Sequence, residues 1–349
     1  MTLTLKQLGR LAGVHPSTVA RVLNDDPRQR VSDDVRQRIV QLARERGYQP
    51  NHLARSLRTK RSYVVGTIIP DVSNPFFAML FRGIEDALEQ REYSVILANT
   101  DDDPLREARN IAMLRGRQVD GLILATARRD DPDLQTLIAT GFPLVLVNRH
   151  TEPLQANAVV PDDYAGAVAA VEHLFALGHR RIAHIAGSDA MSTGHLRRSG
   201  YWGALRRHGL PEDAELVVEG SYRESGGYEG MRRLLALAEP PSAVFAVNDL
   251  AAAGALRAVQ EVGLDVPRDI SIVGFNDLST AVHVSPRLTT LRVPLREMGA
   301  AAAQSLLAQL LGAEVPSGPI VLPVALIARE STGPAPTRGA AAGRLPVAG

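Results

Sequence analysis

Polar and aromatic residues follow a series of short apolar, β-branched runs in the sequence from Tyr63 onward. Asparagine and aspartate side chains hydrogen-bond the hydroxyl groups of a ligand, a phenyl ring stacks on a flat ring, and a fixed arginine binds oxygen atoms. Together, these residue types predict a binding site for a small, polar, sugar-like molecule. The candidate residues are Asp71, Asn74, Phe76, Phe77, Asn148, Thr193, Arg197, Tyr222, Asn248 and Asn276.

Several of these residues have simpler structural roles that the sequence leaves open. An asparagine or aspartate after a strand often caps the following helix, which is the alternative for Asn248 and Asn276 and the favoured role for Asp249. Of the two adjacent phenylalanines, one is expected in the core. For Arg197, the alternative is an ion pair between two halves of the body.

Catalytic and metal sites are not indicated. The sequence contains no cysteine, which excludes a thiol nucleophile, a disulfide framework, a zinc–thiolate cluster and an iron–sulfur centre. The histidines are scattered, and neither a nucleophile–base pair nor a phosphate-binding G-x-x-x-x-G-K loop is present. We therefore expect no enzyme activity, no metal and no cofactor, and a sugar-processing α/β enzyme is the least favoured alternative.

The elements that must position the candidate residues are repeated strand–helix units. Such alternation predicts parallel sheets covered by helices on both faces, and the region is long enough for two of them. Ligands of open α/β sheets bind beyond the carboxyl ends of the strands, where the candidate residues lie. The runs are VVGTIIP (64–70), SVILAN (94–99), GLILAT (121–126), PLVLVN (143–148), RIAHIAG (181–187), AVFAVND (243–249) and ISIVGFND (270–277), with a further strand near VVEGSY that ends in Tyr222.

Charge is divided unequally along the chain. Lys and Arg number 39 and Asp and Glu 38 overall, but residues 1–62 hold 13 basic and 5 acidic residues. A basic head on an acidic body points to nucleic acid or a membrane surface as the partner of the head. No apolar run approaches the roughly 18 residues of a spanning helix, and the first residues lack the apolar stretch of a secretory signal. We therefore expect a cytoplasmic protein with no membrane partner.

The basic head has the pattern of three short helices. A leucine at every third position from Leu5 to Leu11 predicts the first helix, Gly13 ends it, and Pro16 begins the second. The third helix is predicted from its cap Ser32 to Gly47. Two helices joined tightly through a glycine and braced by a third form a helix-turn-helix. A small helical capping domain with a solvated basic face is the alternative.

The string TLKQLGRLAGVHPSTVARVLN at residues 4–24 closely resembles the DNA-reading head of the LacI/GalR family of bacterial transcription regulators. The resemblance implies that the second helix enters the major groove of DNA. Ser17 and Thr18 then contact base edges or phosphates, and Arg21 binds a guanine. His15 and Pro16 belong to the same contact set but depart from the residues usual in the family, which leaves the operator sequence open. In the following loop, Arg28 and Arg30 either contact phosphates or are solvated.

The string RGYQPNHLARSLRT at residues 46–59 is similar to the hinge of the same family. The resemblance implies a segment that becomes helical when two copies pair on DNA. Leu57 then wedges between base pairs in the minor groove and bends the duplex. Arg55 and Arg58 hold the backbone or groove edges, with Asn51 and Ala54 beside them. A plain linker with one exposed leucine is the alternative.

The resemblance extends over the body, where the matching strings are LGHRRIAHIAG (177–187), TGHLRRSGY (193–201), FAVNDLAAAGAL (245–256), ISIVGFNDL (270–278) and LTTLRVP (288–294). They are similar to the family's effector-binding core, which is like a type I periplasmic binding protein with two α/β lobes. The resemblance implies that Phe76 and Phe77 stack on the effector and that Arg197 binds its oxygens. Met191 stands where purine-responsive members have a basic residue, which disfavours a purine. Other matching pocket positions are Asn148, Thr193, Tyr222, Asn248 and Asn276.

The predicted organisation is a head (1–49), a hinge (50–61), a two-lobed core (62–332) and a disordered tail (333–349). The first lobe comprises about 62–161 plus 293–320, and the second about 162–292 plus 321–332. The tail lacks the leucine heptads that allow tetramers, so a homodimer is expected.

The predicted function is an allosteric DNA-binding transcription regulator. We expect a repressor that a sugar-like inducer releases from a pseudo-palindromic operator. A corepressor-dependent regulator or an activator of the same family is the alternative. A solute-binding protein fits the body equally well but does not explain the basic head.

Overall fold

The computed structural model describes residues 4–23, 31–48, 59–154, 156–313 and 318–336. The chain forms two compact units, Met1–Ser62 and Tyr63–Gly349. The predicted hinge contacts Asn51, Ala54, Arg55, Leu57 and Arg58 lie outside the described residues, as do Arg28 and Arg30 of the preceding loop.

The described residues of the head form the three predicted helices, namely α1 (Leu5–Ala12), α2 (Pro16–Leu23) and α3 (Asp33–Glu45). Thr4 and Gln7 form a reciprocal capping box at the start of α1, and Gly13 ends it in the left-handed conformation (φ 68°). Leu11, expected on the buried stripe, is 48% exposed. Ser32 precedes α3 as predicted but makes no capping hydrogen bond with its side chain. The core of the head consists of Leu8, Ala12, Val19, Val22, Ile39 and Ala43.

A close backbone approach fixes the turn between α1 and α2. A Cβ atom at Gly9 would lie 2.9 Å from the carbonyl oxygen of Val14. Any larger residue would therefore push α1 away from the start of α2.

The body has the predicted architecture of two doubly wound lobes. The first sheet has the order β11-β5-β4-β3-β1-β2 and the second β12-β10-β9-β8-β6-β7. Neighbouring strands are parallel except for β12, which runs antiparallel to β10 at the sheet edge. The strands are β1 (Val64–Ile69), β2 (Ser94–Asn99), β3 (Gly121–Leu124), β4 (Leu144–Val147), β5 (Asn157–Pro161), β6 (Ile182–Ala186), β7 (Val217–Glu219), β8 (Ala243–Ala246), β9 (Ser271–Asn276), β10 (Thr289–Arg292), β11 (Ile320–Leu322) and β12 (Ala325–Ile327).

Helices cover both faces of each sheet. The helices of the body are α4 (Pro75–Glu89), α5 (Pro104–Gly116), α6 (Pro132–Ala139), α7 (Asp163–Ala176), α8 (Ser192–Arg207), α9 (Glu224–Leu235), α10 (Asp249–Glu261) and α11 (Leu295–Leu310). Short 3-10 helices span Ala214–Leu216 and Ser279–Val282. α11 returns to the first lobe, where a Cβ atom at Gly299 would lie 2.1 Å from the carbonyl oxygen of Leu80 in α4.

The chain crosses between the lobes three times, after β5, after β10 and after β11. Because β11 (Ile320–Leu322) pairs with β5, the first lobe extends to residue 322 rather than 320. The sequence runs did not reveal β5, β10, β11 and β12 as strands, and β7 ends at Glu219, three residues before Tyr222. The two edge strands β11 and β12 are three residues long and largely unburied, so they carry little apolar signal.

The beginning of the predicted disordered tail is fixed to the second lobe. The amide of Gly333 donates to Ser271 Oγ (3.1 Å), and its carbonyl oxygen lies 3.1 Å from His179 Nε2. The amide of Ala335 donates to the carbonyl oxygen of Leu177 (2.9 Å). The prediction of disorder from residue 333 is therefore wrong for 333–335, and residues 337–349 lie outside the described residues.

Candidate functional site

A cavity of about 440 Å³ lies between the two lobes, at the carboxyl ends of the strands. Its size is within the range of roughly 300–1,000 Å³ that small-molecule sites occupy. All ten candidate residues predicted from the sequence, from Asp71 in the first lobe to Asn276 in the second, line this cavity. Their contact with an effector stays a prediction.

The start of α4 forms the aromatic wall of the cavity. Asn74 caps this helix, because its Oδ1 accepts a hydrogen bond from the amide of Phe76 (3.0 Å). The rings of Phe76 and Phe77 meet edge to face with centroids 5.0 Å apart. Both are buried and both line the cavity, so the expected division into one core and one site residue does not hold.

Asn148 and Asn276 present unpaired oxygens from opposite walls. Asn148 follows β4, Asn276 ends β9, and both adopt positive φ angles (66° and 114°). Each is at least nine-tenths buried, and neither Oδ1 has a hydrogen-bond partner among the described residues. Leaving such an oxygen unpaired costs about 1–3 kcal/mol. A ligand hydroxyl that donated to either oxygen would remove that cost. Asn276 therefore does not have the helix-capping role that the sequence left open.

Asn248 caps a helix and also lines the cavity. Its Oδ1 accepts a hydrogen bond from the first turn of α10 (2.8 Å), and its Nδ2 donates to the carbonyl oxygen of Tyr222 (2.8 Å). The capping role expected for Asp249 is wrong. Its carboxylate instead accepts from Thr290 Oγ1 (2.5 Å) and from the amide of Leu278 (2.7 Å), and burial raises its pKa to about 7.

Arg197 is held rigidly beneath the cavity. Its Nε donates to Asp163 Oδ1 (2.7 Å), its Nη1 donates to the carbonyl oxygen of Val247 (2.5 Å), and its guanidinium lies 3.8 Å from the centroid of the Phe275 ring. Both members of the ion pair are buried, and burial raises the pKa of Asp163 while Arg197 opposes that shift. Asp163 begins α7 of the second lobe, so the pair lies within one lobe and not between the two.

Sequence reasoning missed Arg149 and Asp102. Arg149 Nη1 donates to Asp102 Oδ1 (2.9 Å), and the guanidinium lies 5.6 Å from the ring centroid of Tyr222 in the other lobe. The hydroxyl of Tyr222 is 2.9 Å from Thr193 Oγ1. Arg149 could have been found from the sequence, because it directly follows the candidate Asn148 at the end of β4. Nothing in the sequence indicated Asp102, because its partner is 47 residues away.

Two ion pairs join the lobes beside the cavity. Asp71 of the first lobe lies 3.0 Å from Arg223 of the second. Arg129, which follows β3, lies 3.0 Å from Asp189, which follows β6. A hydrogen bond with His195 lowers the pKa of Asp189 and keeps it charged for this contact. Each pair joins residues of different lobes, so both stabilise the relative position of the lobes.

The starts of four helices, α4, α8, α9 and α10, surround the cavity. Helix N-termini carry a partial positive charge, which favours the oxygen atoms of a ligand. Within the described parts of the chain, no group of three or more His, Asp or Glu residues is arranged to hold a metal ion. None of the described helices has both the length and the apolar character that crossing a bilayer requires.

The candidate DNA-reading surface of the head is the start of α2. His15 Nδ1 lies 2.7 Å from Ser17 Oγ and accepts from the amide of Ser17 (3.2 Å), so the ring orders the first turn. His15, Ser17 and Arg21 are exposed, and Pro16 and Thr18 are half-buried. Ser17 and Arg21, four positions apart, share an exposed face of α2 away from the buried Val19 and Val22. Their contact with DNA stays a prediction.

Comparison with known proteins identifies the family. The model of the lacI family of bacterial regulatory proteins matches residues 4–51, and that of the periplasmic binding protein-like domain matches residues 171–332. Catabolite control protein A of Priestia megaterium is 34% identical over 333 residues, which cover 95% of this chain and 100% of that protein. The chain belongs to the LacI family.

Solved structures of transcription regulators are similar to this chain over nearly all of its length. A lac repressor dimer bound to operator and the anti-inducer ONPF matches with a TM-score of 0.84 at 29% identity, covering 95% of this chain and all of that one. A complex of the transcriptional regulator CelR with cellobiose matches with a TM-score of 0.73 at 33% identity, covering 94% and 99%.

Family membership confirms the predicted DNA-binding transcription regulator with a helix-turn-helix head. The relatives are transcriptional regulators and not enzymes. The solute-binding alternative is not supported, because the match to the LacI family begins in the head at residue 4.

Proposed function

We propose that a sugar or sugar derivative binds in the cavity between the lobes and controls the affinity of this LacI-family regulator for its operator. The observation that carries this proposal is the pair of buried, unpaired oxygens of Asn148 and Asn276 on opposite walls. A ligand with several hydroxyl groups supplies the hydrogen bonds that both lack.

The remaining groups of the cavity fit the same chemistry. Arg149 Nε is buried without a partner among the described residues, so it donates to a ligand oxygen. Arg197 adds a second fixed guanidinium, and the Phe76–Phe77 wall offers an apolar face for a sugar ring. The cellobiose bound in the CelR structure supports a carbohydrate as the effector.

The proposed mechanism couples closure of the lobes to DNA binding. A ligand that bridges Asn148 and Asn276 stabilises one relative position of the lobes over the other. In a dimer, this closure moves the first lobe of each protomer. The movement changes the distance between the two heads on the operator. Such coupling is worth about 1–3 kcal/mol between the sites.

A homodimer is the assembly that this mechanism requires. Four apolar side chains around the edge strand β2 are exposed, namely Val72, Met79, Leu97 and Leu105. A second copy that covered them would bury this apolar surface and present two α2 helices to a pseudo-palindromic site. The lac repressor dimer on operator DNA supports this arrangement. A protein that regulates chromosomal genes in this way acts in the cytoplasm.

Selection of bound fragments from random DNA tests the DNA-binding half of the proposal. We expect a palindromic motif with a flexible pyrimidine–purine step at its centre. A panel of mono- and disaccharides is then titrated into the complex with the selected duplex. A sugar that lowers operator affinity establishes an inducer, and one that raises it establishes the corepressor alternative. If no sugar changes operator affinity or binds the protein, the proposed effector class is wrong.

The proposed hinge contact has a separate test. Leu57→Gly should weaken binding of the selected operator and abolish most of the bend, because the wedge between base pairs is lost. Sugar binding should be nearly unchanged. An unchanged operator affinity, measured by fluorescence anisotropy, would show that Leu57 is not the wedge.

A further inference from the structure

The chain enters the body at Tyr63, at the amino edge of the first sheet. The amide of Tyr63 donates to Asp120 Oδ2 (3.0 Å), and its carbonyl oxygen accepts from the amide of Ser94 (2.9 Å). Ser94 begins β2 and Asp120 precedes β3, the two strands that flank β1. The loops before these strands therefore surround the point at which the chain passes from the head into the body.

Three exposed arginines lie on those loops or in the helical turn that leads into one of them. Arg91 is three residues before Ser94, Arg117 is three residues before Asp120, and Arg115 is in the last turn of α5. We call Arg91, Arg115 and Arg117 the arginine collar. Arg115 lies 5.3 Å from the ring centroid of Phe142, which limits its motion.

The arginine collar lacks carboxylate partners. None of its three side chains forms an ion pair with any residue that the structure describes. Other exposed arginines of the body commonly do, for example Arg257 with Glu224 (2.6 Å). The acids nearest in sequence are Glu89, Glu92 and Asp120, and within the described residues none of them forms an ion pair with the collar. The carboxylate of Asp120 instead accepts a hydrogen bond from the amide of Tyr63 (3.0 Å).

A binding partner of the collar must lie close to this edge of the first sheet. For DNA bound by the head, the length of the chain between head and body limits that distance. Fourteen residues separate Tyr48 of the head from Tyr63 at this edge, and an extended chain spans at most about 3.3–3.6 Å per residue. The connecting chain therefore spans at most roughly 54 Å, about one and a half turns of duplex DNA. A duplex held by the head is thus a polyanion that the length of the chain allows within reach of the collar.

We propose that the arginine collar is a second DNA-contacting surface, which binds phosphates of the duplex that the head has recognised. This inference rests on operator binding by the head. A guanidinium presents two parallel N–H donors to phosphate oxygens, so it suits such contacts without reading base sequence. Because the collar belongs to the first lobe, movement of that lobe changes phosphate contacts directly.

The salt dependence of operator binding tests the proposal on the full-length protein. The duplex is about 40 base pairs long and carries the selected operator, and log Kobs is measured against log salt between about 50 and 200 mM. The variant combines Arg91→Gln, Arg115→Gln and Arg117→Gln. The control has the same net charge and combines Arg180→Gln, Arg206→Gln and Arg233→Gln, which remove exposed arginines of the second lobe.

The expected result is a shallower salt dependence for the collar variant alone. Each phosphate contact contributes about 0.9 to the slope, so one to three contacts in each protomer of a dimer reduce its magnitude by about 2–5. Arg117→Glu should weaken binding further than Arg117→Gln, because it places a negative charge beside phosphate. The control variant should keep the slope of the unmodified protein.

Other outcomes overturn the proposal. If the collar and control variants share one slope, the collar makes no phosphate contacts. If the collar variant loses thermal stability but keeps its slope, the arginines serve the C-termini of α4 and α5, whose partial negative charge also favours cations. If the unmodified protein binds no duplex in the selection, operator binding fails and the collar proposal fails with it.

Discussion

Replacing Arg197 with alanine should damage both the effector site and the second lobe itself. The ion pair of Arg197 Nε with Asp163 Oδ1 is 2.7 Å long, and both side chains are no more than 3% exposed. Removal of the guanidinium leaves a buried carboxylate with no countercharge. Breaking a buried pair in this way costs about 3–5 kcal/mol, well above the roughly 0–1 kcal/mol of an exposed pair.

The assay follows from the position of the single tryptophan. Trp202 lies on α8, five residues after Arg197, with its ring 4.9 Å from that of Tyr201, so its fluorescence reports unfolding of the second lobe. With a urea slope of about 1–3 kcal/mol/M, the loss should move the unfolding midpoint by at least about 1 M. The control is Arg207→Ala, which removes an exposed pair with Glu172 (2.6 Å).

A double variant shows whether the unpaired buried charge, rather than lost packing, causes the loss of stability in Arg197→Ala. Arg197→Met with Asp163→Leu removes both charges and keeps apolar volume, so it should recover most of the lost stability. Arg197→Ala and the double variant should both lose the response to the effector, while binding to the operator without effector is retained. The reasoning is refuted if Arg197→Ala unfolds at the same urea concentration as Arg207→Ala, or if the double variant is no more stable than the single one.

Two further substitutions test a residue of the cavity wall and an ion pair between the lobes. Asn276→Gly keeps the positive φ and removes the amide, so the sugar found by screening should bind about tenfold more weakly by calorimetry, the equivalent of one hydrogen bond; unchanged affinity would remove Asn276 from the site. Arg223→Gln breaks the exposed contact with Asp71 (3.0 Å), and its effect on sugar affinity should stay below about fivefold. A much larger loss would mean that Arg223 contacts the ligand directly.

The convergence of the candidate residues within each lobe was predictable from topology, and the family resemblance predicted that the two lobes share one site. Residues after parallel strands meet at one edge of a sheet, whatever their side-chain contacts. Phe76 and Asn276 are 200 residues apart, yet each could be placed by the strand that precedes it. The roles of the individual residues within the cavity were harder to predict from the sequence. Whether an asparagine caps a helix, as Asn248 does, or keeps an unpaired oxygen, as Asn276 does, depends on the backbone φ at that position.

The parts that sequence reasoning missed depend on pairing between distant residues. Asp162 and Asp163 are adjacent and alike, but Asp162 caps α7 while Asp163 is buried against Arg197. Only the start of the helix decides which of them points inward. The fixing of residues 333–335 likewise depends on hydrogen bonds with His179 and Ser271 in other elements, which composition does not encode.

The raised pKa of Asp249 predicts that the stability of the protein depends on pH. This contribution can be separated from that of other titratable groups. Burial raises its pKa from 3.8 to about 7, so the folded state holds a proton that the unfolded state releases above about pH 4. Its contribution to stability is complete below that pH and declines by about 1.4 kcal/mol per pH unit until about pH 7. Burial lowers the pKa of His184 to about 3, which gives an opposite trend below about pH 6.5.

The contribution of His184 cancels when the free energy of unfolding of Asp249→Asn is compared with that of the unmodified protein at the same pH. The asparagine variant should gain stability relative to the unmodified protein as the pH rises from 5 to 7, and the difference should be constant above about pH 8. Urea unfolding followed by Trp202 fluorescence measures it, because α10 and α8 lie in the same lobe. A difference that does not change between pH 5 and 8 would mean that Asp249 is charged throughout. The hydrogen bonds from Thr290 and Leu278 would then outweigh its burial.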